Sequence, residues 1–128
     1  MEAIPWHDRP AQKRWKLQLV HAETSLKVDK HTEELYQDAL HQAAQQVGHD
    51  HPDVAEAATY LADLYMFLER FTEAEALYRR AIKIYAHTLG DDHMVYSMSL
   101  RNLAACLEAR GKKTDAENVR LQARGIFG

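Results

Sequence analysis

The chain of 128 residues has one cysteine, three prolines and five glycines. A lone Cys106 excludes an internal disulfide and fits a reducing compartment. Two of the prolines, Pro5 and Pro10, stand near the start, so the interior from Ala11 to Arg110 has few breakers and favours helix. No apolar run reaches the ~18 residues of a membrane span. The opening "MEAIPWHDRP" has no apolar stretch of the kind that starts a secretory leader. An excess of charge of either sign is also lacking: 16 Lys and Arg against 19 Asp and Glu leave a net −3. That balance gives no sign of a general nucleic-acid or anionic-membrane binder. The expectation is a soluble, cytoplasmic chain of ordinary composition, 46% apolar and 27% charged.

What the sequence does have is a period. "TEAEALYRRA" at Thr72–Ala81 recurs 42 positions later as "TDAENVRLQA" and 42 positions before Glu75 as "EELYQDA". Leu61 falls on Leu103, Ala62 on Ala104, Ala74 on Ala116 and Ala81 on Ala123. Gly48 falls on Gly90, His51 on His93 and Tyr36 on Tyr78. A fixed interval of this length marks a stack of supersecondary units, none of which can bury its apolar face alone.

Each unit reads as two helices. Val54, Ala58, Leu61, Ala62 and Tyr65 recur at helical spacing from Asp53 to Leu68, with Pro52 suited to the first helical position. Thr72 with Glu75, and Thr114 with Glu117, read as capping boxes opening the second helices. Gly90 suits a left-handed helix end. Ala62, Ala74 and Ala81 are small enough for close helix approach.

The stretch "GHDHPDVAEAATYLADLYMFLERFTEAEALYRRAI", and with more drift "GDDHMVYSMSLRNLAACLEARGKKTDAENVRLQA", resembles the tetratricopeptide repeat in the 42-residue form of kinesin light chains. The resemblance covers about residues 32–123. It implies an all-α superhelix, a tetratricopeptide solenoid of about three hairpins. The expected organisation is an arm at residues 1–9 and one domain at 10–128, with repeats near 10–47, 52–89 and 93–125. Met94 departs from the family's Pro, Lys113 from its turn aromatic, and Glu69 stands where a turn Gly is common. The first repeat's "PAQKRWKLQLVHAETSL" is a degenerate but amphipathic helix, and Trp6 and Trp15 are expected to plug that end.

In this family the first helices of the repeats line a concave groove that holds a peptide or helix of a partner. Carried over, the groove takes Arg14, Gln18 and His21 from the first repeat. Thr59, Tyr60, Asp63 and Phe67 come from the second, and Arg101, Asn102 and Glu108 from the third. Asn102 can bond a peptide backbone both ways, Arg101 can pair a carboxylate or phosphate, and Tyr60 offers a flat aromatic contact. The bland reading, a merely solvated face, stands beside it.

No metal, cofactor or catalytic set is expected. Of the eight histidines, His51 and His93 are part of the repeat, and equivalent positions on stacked helices lie too far apart for one zinc. Cys106 falls at the core position of Leu64, and no Gly-rich phosphate loop is present. The outer face of the last repeat is expected to carry apolar surface from Leu107 and Val119, and with Ile126 and Phe127 to form a possible assembly edge. The leading expectation is a non-enzymatic adaptor for another protein, binding neither nucleic acid nor membrane. The alternatives are a structural subunit forming a homo-oligomer through its repeat edges, and a small regulator or chaperone of a partner enzyme.

Overall fold

The computed structural model describes residues 30–90 and 93–127. Every element in them is a helix: α1 (Lys30–Val47), α2 (Pro52–Phe67), α3 (Phe71–Thr88), α4 (Met94–Ala109) and α5 (Lys113–Phe127). The expected helix around Trp15, and the plugging role of Trp6, lie outside the described residues. Each helix packs chiefly on its neighbours in the chain, giving the hairpins α2–α3 and α4–α5 with α1 laid against the first.

The 42-residue period reappears in the backbone itself. His51 and His93, each extended, precede α2 and α4, and each Nδ1 accepts the N–H two residues on, from Asp53 at 3.0 Å and Val95 at 3.1 Å. This capping explains why the repeat wants histidine there. Pro52 follows at the start of α2, where no donor is lost. Gly48 and Gly90 take left-handed backbone at φ 90° and 92°, closing α1 and α3.

The hairpin turns repeat as well. Arg70 N–H reaches Tyr65 O at 2.8 Å, and Glu69 N–H reaches Met66 O at 3.1 Å. Forty-two residues on, Lys112 N–H reaches Leu107 O and Gly111 N–H reaches Glu108 O, both at 2.9 Å. Both are Schellman turns, whose pivot must be left-handed. Gly111 meets that need at φ 81°, whereas Glu69 adopts φ 60° with a side chain attached.

These turns correct the expected capping boxes. With Arg70 N–H already bonded backward, its carbonyl accepts from Ala74 N–H at 3.1 Å, so α3 starts at Phe71 and Thr72 lies inside it. Ala116 N–H to Lys112 O at 2.9 Å does the same for α5, leaving Thr114 inside that helix.

Alanine dominates the helix contacts. Ala39, Ala81 and Ala123 have no exposed surface, nor do Ala74 and Ala116, nor Ala62 and Ala104. Leu61, Leu103, Tyr65 and Tyr78 fill the spaces between them. Cys106 is buried, and its thiol donates to Phe71 O at 3.3 Å. Burial raises its pKa, so it sits in the core as a thiol.

Between repeats, an acid in the first turns of each second helix takes a cation from the following hairpin turn. Glu33 pairs with Arg70, which also forks onto Glu73 at 2.6 and 2.7 Å and lies 4.5 Å over the Tyr65 ring. Glu75 accepts from Arg110 at 2.6 Å, from Arg79 at 3.1 Å, and lies 3.6 Å from Lys112. Glu33, Glu75 and Glu117 share one repeat position, as do Arg70 and Lys112.

Candidate functional site

The first helices present one stripe each. On α4 it runs Met94, Met98, Arg101, Ala105 and Glu108, all exposed, at steps of three and four. On α2 the matching positions are Pro52, Glu56, Thr59, Asp63 and Met66, mostly half-buried, with Phe67 beside them 72% exposed.

The individual side chains differ in how free they are. Thr59 is half-buried and donates its hydroxyl to Ala55 O at 2.8 Å. Tyr60 is half-buried, packs on the core and reaches Glu56 at 3.5 Å, so only part of its ring is free for the flat contact expected of it. Asp63 keeps an exposed edge while accepting from the Tyr78 hydroxyl. Burial of that carboxyl raises its pKa, partly offset by the Tyr78 bond. The same pairing, with burial first, pushes Tyr78 far above the usual phenol range, and burial takes Tyr85 up to about 12.

Arg101 is exposed and Asn102 half-buried. Glu108 pairs with Arg120 of α5, which lowers its pKa. Arg101 also borders a hollow of about 370 Å³ with Arg120 and Arg124. Arg14, Gln18 and His21 lie outside the described residues.

The far end of the stack differs from the expectation. Leu107 has no exposed surface and belongs to the core. Val119 is half-buried and turns toward α3, bordering a shallow hollow with Ile82 and Lys83. Ile126 and Phe127 lie in the last turn of α5, with side chains outside what is described. The described edge instead carries Arg101, Arg120 and Arg124, with Leu121 53% exposed.

Sequence reasoning misses Met98 and Met94, which are 56% and 64% exposed. Their signal is a mismatch rather than a match: at the 42-residue offset Met98 stands for Glu56 and Met94 for Pro52. Two exposed methionines one turn apart offer deformable apolar contact, and Arg101 one turn further offers a fork for a carboxylate. Among the described residues no group of three or more His, Cys, Asp or Glu is placed to hold a metal ion. Among them, too, no helix is long and apolar enough to cross a membrane.

The tetratricopeptide repeat family matches the chain twice, over residues 31–86 and 53–127. No curated protein matches it.

Proposed function

Because the chain belongs to the tetratricopeptide repeat family, whose repeats generally mediate protein–protein contact, we propose that it is a non-enzymatic adaptor holding a peptide or helical segment of a partner along its first-helix stripes. One observation carries this reading. Met94 and Met98 leave most of their surface in water in line with Arg101, which has no ion pair among the described residues. Isolated exposed apolar residues are unremarkable, but two in register with an unpaired guanidinium form a contact surface. The partner segment it suits carries an apolar side chain one helical turn from a carboxylate. In this reading the half-buried Asn102, next along α4, is the side chain that bonds the partner's backbone. The 42-residue spacing supports likeness to the kinesin-light-chain form, and the buried lone cysteine supports a cytoplasmic setting.

The test begins with affinity capture on the immobilised chain and identification of bound proteins by mass spectrometry. A segment of the captured partner is then titrated by calorimetry. Met98→Asp and Arg101→Ala are expected to weaken it about tenfold or more while leaving the melting temperature nearly unchanged. Equal affinity in wild type and both variants refutes this surface. Tyr60→Ala is a poor probe, because its packing on the core makes it lower stability as well.

A further inference from the structure

The junctions between repeats have a rule, and the last edge breaks it. The face of α3 that meets the next hairpin carries Glu75, Arg79 and Ile82, and Tyr78, bonded to Asp63 of its own hairpin, lies within electrostatic reach of Cys106 on α4. The matching face of α5 carries Glu117, Arg120, Leu121 and Arg124. An arginine stands in place of the tyrosine, and another in place of the isoleucine, so this edge is unsuited to another ordinary repeat. Arg120 is held by Glu108. Arg124 and Glu117 are exposed and make no ion pair among the described residues.

Glu117, Leu121 and Arg124 follow at steps of four and three, so they share one side of α5 in the order acid, leucine, base. That order is its own complement when reversed. We propose that this edge is a twofold homodimer surface, with α5 antiparallel to α5 of a second copy. Leu121 lies on the axis against its twin, and Glu117 meets Arg124 of the second copy in two reciprocal pairs.

The distances allow it. At 1.5 Å of rise per residue, Glu117 lies about 6 Å from Leu121 along the helix and Arg124 about 4.5 Å on the other side. The offset of ~1.5 Å is within reach of an arginine side chain. Gly125, exposed and with nothing within 4 Å of where a Cβ would sit, lets the two helices approach closely. An isologous contact needs such a self-complementary patch, and charge pairing also sets the antiparallel direction. One helix face buries less than about 1,200 Å², so the dimer is weak and reversible, with a dissociation constant on the order of 10–100 µM.

Sedimentation velocity of the full chain from about 1 to 500 µM tests this, a range set by that expected affinity. The wild type is expected to pass from monomer to dimer, and high salt to shift it back. Glu117→Arg and Arg124→Glu each raise the dissociation constant about tenfold or more, and Leu121→Asp does the same. The double variant E117R/R124E restores the dimer, because both pairs re-form with signs exchanged. All these positions are exposed, so circular dichroism should be unchanged. A wild type that stays monomeric at every concentration overturns the proposal. So does a dimer indifferent to Leu121→Asp, or a double variant no better than the singles. Met98→Asp leaves the dimer intact, which separates this surface from the partner-binding stripe.

Discussion

Removing the Glu75 carboxylate should loosen the junction between the last two hairpins. Its side chain is only 13% exposed and takes Arg110 at 2.6 Å, Arg79 at 3.1 Å and Lys112 at 3.6 Å. The three cations are themselves 28%, 55% and 40% exposed, so each pair sits near the surface. Exposed pairs contribute about 0.2–1 kcal/mol each. Summed and discounted for solvent, Glu75→Ala should lower stability by about 1–2 kcal/mol in urea titration. Arg110→Ala combined with it should give a coupling energy of about 0.5–1 kcal/mol. Glu117→Ala is the internal control. It alters the same repeat position where the carboxylate makes no ion pair among the described residues, and measured at about 1 µM, where the monomer prevails, it should cost less than ~0.5 kcal/mol. Acid sharpens the test. Burial pushes the Glu75 carboxyl up, but the bonds from Arg110 and Arg79 and the charge of Lys112 together hold it below its ordinary 4.5. A depressed folded pKa stabilises above the unfolded value and is lost as pH falls through the folded one. The advantage of wild type over Glu75→Gln should therefore be full at neutral pH and shrink below the ordinary carboxylate value of 4.5. If Glu75→Ala behaves like Glu117→Ala, or the advantage does not change with acid, the junction is not held as argued.

Two further outcomes follow from packing and backbone. Ala62→Leu and Ala81→Leu, at sites with no exposed surface, should each cost about 1–3 kcal/mol in chemical denaturation, and unchanged stability would mean these helices do not meet closely. Gly111→Ala should lower stability by about 1 kcal/mol through left-handed strain alone, since nothing lies within 4 Å of the added carbon, while Glu69→Gly should be neutral or stabilising. The reverse ordering in paired melts would refute the reading of these two turns.

The fold was legible because a stack must repeat its buried positions, and those are chemically narrow. Ala81 and Ala123, or Leu61 and Leu103, keep their identity at the offset because they face the same neighbours. Helix starts were read less well. Thr72 and Glu75 fit a capping box by type, but the Schellman turn before them had already begun the helix two residues earlier. The period marks His51 and His93 as part of the pattern but does not reveal their capping role, which depends on which ring nitrogen faces the chain. The candidate surfaces were least legible, since they lie where the repeat deviates. Met98 and Arg124 are visible only against Glu56 and Ile82, and whether a deviation faces water depends on which neighbour is missing. Leu107 is buried rather than exposed, because the spacing alone does not tell which side of α4 meets the core.

Among the described residues each helix leans chiefly on its neighbours in the chain, and no extensive contact joins α1 to α5. The molecule is a row of hinged plates rather than a ball. Such a row can be opened from either end while its middle stays shut, and a slight rotation at each junction adds along the row. The Glu33 and Glu75 ion clusters sit at those two hinges. They therefore set the pitch of the row as well as its strength, and with it the spacing between the stripes of α2 and α4.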